Sequence, residues 1–424
     1  MKLVTRQSCL RGRVRIPGSK SHTIRSVALA ALAEGTSEIH QPLVSADTEA
    51  AVHCYRQLGA KISCRSSWIV EGTAAQPLEP GGVIDVANSG TTLRIGMGSA
   101  GLLQKGKATF DGDGQTRSRP VGPLLDSLND LGAACRSLAG DGRAPVEIAG
   151  TLKGGSTRID AVTSQYLSSL LLCAPLARGD TTIDVTRLNE HPYVEMTLAY
   201  LDELDIDYQH DQMKRFHIPG GQSYRAFRKT IPADFSSATF FLCAAAFLDA
   251  DLILEGLDFS DAQGDKAVVD ILKEMGARID ISGSRLYIEP GPLQGVEVDM
   301  NAIPDALPAL AVVGCFARGQ TRLTNVEQAR LKETDRIAVM AEELGRMGAD
   351  ITQEKDGMVI RQSTLRPADL CGHHDHRVVM ALSLAAMAVP GRCTIDTAEA
   401  IQVTFPDYVK RMQSLGADME LIED

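Results

Sequence analysis

The sequence predicts an α/β (α+β) protein of two similar domains, each assembled from three β-α-β-α-β-β repeats. Three observations carry that prediction. The chain has 424 residues, beyond the ~250–300 at which a single hydrophobic core stops growing. A helix ending followed by a strand recurs six times, roughly 70 residues apart. Each repeat also joins an apolar helix of small residues to an amphipathic helix and short β-prone runs.

The recurring signal reads Gln57-Leu58-Gly59-Ala60-Lys61-Ile62, then Asp130-Leu131-Gly132-Ala133, then Glu203-Leu204-Asp205-Ile206. It returns as Glu274-Met275-Gly276-Ala277-Arg278-Ile279, Arg346-Met347-Gly348-Ala349-Asp350-Ile351 and Ser414-Leu415-Gly416-Ala417. Glycine in five of the six copies suits a helix C-terminus that turns left-handed. Val268 to Met275 places apolar residues at helical spacing ahead of one copy, and Ala238 to Ala246 is the apolar helix of the same repeat. Asp251 to Glu255 supplies a strand. The period is too long for a solenoid, so the repeats group three and three. The boundary falls at Arg228 to Pro232, with an earlier crossing near Pro17. One domain is then residues 1–16 plus 232–424, and the other 17–231.

Composition narrows the function. A formal net charge of −11 argues against a nucleic-acid partner but leaves room for a small anion in a locally positive cleft. Nine cysteines are scattered singly with no C-x-x-C, which gives zinc and redox chemistry no support and fits free thiols in a reducing cytoplasm. Residues 1–20 lack the apolar stretch of a signal peptide, and no apolar run reaches the ~18 residues of a membrane span.

Several segments then concentrate anion-binding chemistry. Gly18-Ser19-Lys20-Ser21-His22-Thr23-Ile24-Arg25 caps a helix and sets a Lys and an Arg beside its N-terminus. Asn88-Ser89-Gly90-Thr91-Thr92-Leu93-Arg94 repeats that design, with Gly90 allowing close backbone approach to a ligand. Arg119 precedes Pro120 at an expected helix start, and Thr163-Ser164-Gln165 opens another helix. Arg330 to Arg336 holds five charged residues, with Lys332 and Arg336 expected on one helix face. Three histidines and an acid in His373-His374-Asp375-His376 are metal-ligand types. Consecutive residues point different ways, however, and Arg377 beside them repels a cation. Taken alone, each segment also reads as an ordinary capped helix or solvated charged face. Together, Lys20, Arg25, Arg94, Arg119, Lys332, Arg336 and Arg377 form a set of cations at helix starts that is expected to converge on one cleft.

With these segments in view, the chain resembles the 5-enolpyruvylshikimate-3-phosphate (EPSP) synthase family of enolpyruvyl transferases. Asn88 to Arg94 and Arg330 to Arg336 are similar to its two signatures. Gly18 to Ser21, Ile303-Pro304-Asp305, Asp375-His376-Arg377 and Thr404 to Tyr408 follow in the family's order. The resemblance implies that each domain is an inside-out α/β barrel, with the active site in the cleft between them. It implies a monomer acting on phosphoenolpyruvate and shikimate 3-phosphate, with no metal, cofactor, nucleic acid or membrane. Ser21 and Arg25 are expected at the shikimate carboxylate, Thr163 and Ser164 at its phosphate, and Tyr193 against its ring. Asp305 and Lys332 are expected at its hydroxyls with Gln328 nearby, and Lys20 and Gln165 at both ligands. Asn88, Gly90, Arg94, Arg119, Arg336 and Arg377 are expected around phosphoenolpyruvate, where Gly90 leaves room for glyphosate. The resemblance makes Asp305 the base and Lys20 or Glu333 the acid that protonates C3, and sets His376 with the catalytic residues. Three positions depart from the family's commonest pattern. Val403 replaces a Lys, Thr163 replaces a Ser and keeps the hydroxyl, and Glu190 replaces a Ser near the substrate phosphate.

Overall fold

The structure, a computed structural model, describes residues 1–423. The chain divides into two compact units. One is Gly18–Ile231; the other joins Met1–Pro17 to the chain from Pro232 onward. Each unit holds three four-stranded sheets.

Within each unit three buried helices lie inside and the sheets and amphipathic helices outside, the arrangement of an inside-out α/β barrel. In the first unit the inner helices are Lys20–Leu32, Gly90–Ala100 and Ser164–Cys173, and every residue of Gly90–Ala100 is buried. In the second they are Phe235–Phe247, Leu307–Phe316 and His376–Met387. A helix apolar on every side is stable only when surrounded, which is why alanine, glycine and serine fill these stretches. Gly98 illustrates the constraint: a Cβ there would lie 3.0 Å from the Ser169 carbonyl of the neighbouring inner helix.

The strands show the complementary pattern. In Ser67–Glu71, Trp68 and Val70 face inward while Ile69 is exposed, the period-two alternation of a half-buried strand. In each sheet a short strand pairs in parallel with the strand that follows the inner helix, as Val83–Asp85 does with Lys107–Asp111. Antiparallel strands complete the sheet, here Val146–Ala149 and Ala134–Ser137. The units exchange their leading strands. Leu10–Arg15, which runs toward helix Lys20–Leu32, pairs with Ala250–Glu255. Arg228–Thr230, which runs toward helix Phe235–Phe247, pairs with Thr36–His40. Strand Lys2–Arg6 lies between Arg392–Ile395 and Met419–Ile422, antiparallel to both.

All six recurring helix ends share one geometry. Gly59, Gly132, Gly276, Gly348 and Gly416 have φ between +96° and +113°. Asp205, the copy without glycine, is also left-handed at φ +54°. The next residue's amide reaches back five positions in every copy, as in Ala60 to Tyr55 O (2.9 Å), Ile206 to Leu201 O (3.0 Å) and Ala349 to Leu344 O (3.0 Å). These are Schellman closures, which satisfy carbonyls that the helix end would otherwise orphan.

The strain at Asp205 is measurable. Asp205→Gly is expected to stabilise the protein by about 0.5–1 kcal/mol, and Gly132→Ala to destabilise it by a similar amount. Trp68, the single tryptophan, is buried in the same unit, so its fluorescence in a urea titration reads both changes.

Candidate active site

In the unit Gly18–Ile231, the three inner helices each begin at a hydroxyl cap. Ser19 accepts from the His22 amide, Ser89 from Thr92 and Thr163 from Gln165. Helix starts carry unpaired amides and partial positive charge, and here they carry full cations as well. The Lys20 ammonium donates to Asp47 Oδ2 at 2.9 Å. Arg25 is 2 % exposed and donates to Thr197 Oγ1 (2.9 Å), Ser168 Oγ (3.3 Å) and the Ser21 and Tyr193 carbonyls. Arg94 is 4 % exposed and donates to Gln165 Oε1 (2.7 Å) and the Gly90 and Pro120 carbonyls. Gln165 in turn donates to Thr91 Oγ1 at 3.0 Å. Arg119 donates to Asn88 O at 2.7 Å and Thr116 Oγ1 at 3.1 Å.

Among the described residues, neither Arg25 nor Arg94 has a carboxylate in ion-pair contact; their partners are hydroxyls, an amide and carbonyls. Burial pulls the Arg25 guanidinium down to about 10, against opposing effects of Tyr200 and Tyr193. Burial likewise lowers Arg94, with Tyr166 opposing and Arg119 reinforcing the shift. Arg94 and Arg119 flank Gly90, where a Cβ would lie 2.7 Å from an Nη1 of each. The approach expected from Gly90 is thus an approach to two guanidiniums.

Asn88 does not cap its helix; Ser89 does. The Asn88 amide instead donates to Asp113 Oδ2 at 2.7 Å and to Gln115, fixing the turn that carries Arg119. Arg119 itself closes the short helix Gly114–Ser118 rather than opening the next one. The Glu190 carboxylate lies at the start of helix Ser164–Cys173, where Oε2 accepts from Thr163 Oγ1 (3.1 Å), Ser164 N (3.3 Å) and Ser164 Oγ (2.9 Å).

In the other unit, the chemistry gathers around Asp305, in a single turn that leads into helix Leu307–Phe316. Arg336 Nη1 donates to Asp305 Oδ1 at 2.9 Å, Arg377 Nη2 lies 3.0 Å from Oδ2, and Lys332 Nζ lies 3.9 Å from Oδ1. Burial alone would raise the Asp305 carboxyl. Arg377, Lys332 and Arg336 outweigh it and hold the group far below the usual carboxylate range. Arg336 is 1 % exposed and also donates to Asp375 Oδ2 (2.8 Å) and Glu333 Oε2 (2.6 Å). Asp375, Glu333 and Asp305 more than offset the lowering effect of burial, so its charge is locked in.

The expected shared helix face of Lys332 and Arg336 is not present. Lys332 is extended, with φ −80° and ψ −151°, and the helix begins at Arg336 under the Asp335 cap. Both side chains still reach Asp305, through a bend rather than a helical turn. Gln328 is buried and donates to the Asn301 carbonyl at 3.2 Å. The three histidines diverge: His373 Nε2 is 3.0 Å from Glu343, His374 is 3.7 Å from Glu399, and buried His376 is 3.9 Å from Asp375. Val403 ends the 3-10 helix Ala398–Val403.

Sequence reasoning counted cations and overlooked their partners. Asp47 anchors Lys20, Asp375 anchors Arg336, and Thr197 with Ser168 anchors Arg25. The available signal for Asp47 was its place just after Ser45, in the first turn of helix Ala46–Gln57. No local signal marked the other pairs, which lie far apart in the chain.

The family model described as EPSP synthase (3-phosphoshikimate 1-carboxyvinyltransferase) matches residues 4–412. A 3-phosphoshikimate 1-carboxyvinyltransferase of Acetivibrio thermocellus is 54% identical over 424 residues, covering 100% of both chains. One from Ruminiclostridium cellulolyticum is 52% identical over 423 residues, again covering 100% of both. Among solved structures, an EPSP synthase of Acinetobacter baumannii has a TM-score of 0.83 at 27% identity, with 100% of both chains covered.

Buried cations without carboxylate partners should respond to added anions. Sulfate at ten times its dissociation constant is expected to stabilise the protein by about 1.4 kcal/mol. That corresponds to ~2–4 °C in the thermal midpoint for units of this size. Arg94→Gln should lose most of that gain at matched ionic strength in chloride.

Proposed function

This chain belongs to the EPSP synthase family, and from that premise we propose that it transfers the enolpyruvyl group of phosphoenolpyruvate to the 5-hydroxyl of shikimate 3-phosphate, releasing phosphate. The observation that carries the reading is the cage of cations around Asp305, a carboxylate held ready by groups that an anionic substrate would claim.

The acceptor's carboxylate and phosphate suit the first half-site. Arg25 supplies an uncompensated charge beside Ser21, and Thr163 with Ser164 supplies two hydroxyls and a helix N-terminus. Tyr193 is tied to Arg25 through its carbonyl. Phosphoenolpyruvate suits Arg94 and Arg119 about Gly90, with Gln165 bridging to Arg94, and Arg336 and Arg377 on the other half-site.

Chemistry proceeds by addition and elimination. The acceptor oxygen attacks C2 of phosphoenolpyruvate as Asp305 takes its proton, and C3 gains a proton. A tetrahedral intermediate forms, its phosphate neutralised by Arg and Lys. C3 then loses a proton, the C2–O bond to phosphate breaks, and the enol ether leaves. Asp305 is a weak base while three cations hold it. An incoming anion that engages Arg336 and Arg377 weakens that hold and raises its basicity. Substrate binding is thereby coupled to activation of the base. For protonation of C3 we take Lys20 over Glu333. Its ammonium has protons to give, whereas Glu333 is already an acceptor for Arg336. His376 stands behind Asp375 and acts through it.

No step transfers electrons, so the residues named supply each proton and charge movement, and the reading includes neither metal nor cofactor. We read the enzyme as a cytoplasmic monomer on small-molecule substrates, a reading supported by nine free cysteines. No helix among the described residues is long and apolar enough to cross a membrane.

The test is phosphate release from phosphoenolpyruvate with each acceptor in turn. Release with shikimate 3-phosphate, and not with UDP-N-acetylglucosamine, is the expected result. Asp305→Asn should lower kcat about 10³-fold with unchanged far-ultraviolet dichroism; near wild-type turnover would remove the base assignment. Gly90→Ala should raise KM for phosphoenolpyruvate about tenfold, because its methyl displaces both guanidiniums, and leave KM for the acceptor nearly unchanged.

A further inference from the structure

We propose that Glu190 is a specificity-determining residue of the acceptor site: its carboxylate holds the place of the acceptor's phosphate and must yield it before the acceptor binds. The proposal rests on the function above, in which the acceptor is a phosphate ester.

Glu190 is 2 % exposed, and one oxygen gathers three donors: the Thr163 hydroxyl, the Ser164 hydroxyl and the Ser164 amide. Together with the helix start, these donors make an anion site. They are also the groups that a phosphate oxygen needs. Two anions cannot share them, because like charges at contact distance in a low-dielectric site repel strongly. Arg94 feels the Glu190 charge, so the carboxylate also masks part of that guanidinium's field.

The backbone at this point is fixed. Glu190 is left-handed at φ +59°, its carbonyl accepts from the Tyr193 amide at 3.1 Å, and the Asn189 amide is bonded to Ala161 O at 3.1 Å. Pro192 follows in the first turn of helix His191–Glu203. Yielding therefore means rotation of the side chain, with Thr163 and Ser164 exchanging one anion for another. The observed affinity for a phosphate ester is its intrinsic affinity reduced by the fraction of molecules with Glu190 turned out. An acceptor without phosphate leaves Glu190 seated and escapes that penalty.

The test compares the full-length protein with Glu190→Ser, which opens the donors, and Glu190→Gln, which keeps the size and removes the charge. Steady-state kinetics should show KM for shikimate 3-phosphate lowered about tenfold in Glu190→Ser and by less in Glu190→Gln. KM for phosphoenolpyruvate should fall by less than KM for shikimate 3-phosphate, through the unmasked field of Arg94. Calorimetric titration with inorganic phosphate should show tighter binding to both variants. Unchanged or raised KM for shikimate 3-phosphate in both variants overturns the proposal. If no form of the protein turns over the two substrates, the assigned reaction fails and the phosphate titration alone decides: tighter binding supports the role of Glu190, and equal binding overturns it. If Glu190→Ser does not fold, the same two measurements on the charge-neutral Glu190→Gln separate these outcomes.

Discussion

The half-site of Gly18–Ile231 is organised around two buried guanidiniums, Arg25 and Arg94, that no carboxylate among the described residues contacts. Arg25 and Arg94 are buried, and hydroxyls, an amide and carbonyls surround them where carboxylates would be expected. A buried ion without a counter-ion is among the most costly features a fold can retain. It persists because three inner helices, packed through glycine and serine, hold the surrounding groups in place. The other half-site follows the opposite principle. Arg336 is matched by three carboxylates, and Asp305 by three cations, so its charges are paired before any ligand arrives. One half keeps two buried guanidiniums out of ion-pair contact with any carboxylate, while the other pairs its cations directly with carboxylates.

That difference bears on catalysis. A base surrounded by cations is stable but sluggish, and its strength is set by whatever competes for those cations. In the proposed reaction, the groups that bind an anionic substrate also set the strength of Asp305, so that occupancy itself alters the electrostatics there.

The repeats were legible because their signals are local. A helix end, its left-handed residue and the restarting strand lie within six residues, and glycine marks five of the six. Asp205 shows that the geometry outlasts the marker. The apolar inner helices were legible from composition alone. The site was legible as a set of cations and not as a circuit. Asn88, Ser89 and Thr91 all suit a helix cap, and only the backbone decides that Ser89 takes the role. Lys332 and Arg336 have helical spacing, yet Asp335 caps a new helix between them. Asp47 and Asp375 escaped notice as partners because each meets its cation through folding rather than through proximity in sequence. Glu190 was visible as a departure, but its three donors were not.

Strand Lys2–Arg6 sets Leu3 opposite both Ile395 and Leu421. During translation, that strand leaves the ribosome long before either neighbour exists. Its sheet closes only once residues 392–422 are in place. The interval exposes unpaired strand edges, and so lengthy a loop closure slows folding. The unit Gly18–Ile231 has all its strands by Ile231 and can condense while the remainder is still being synthesised. The connectivity thus lets the unit Gly18–Ile231 condense before the other, whose strand Lys2–Arg6 waits for partners far along the chain.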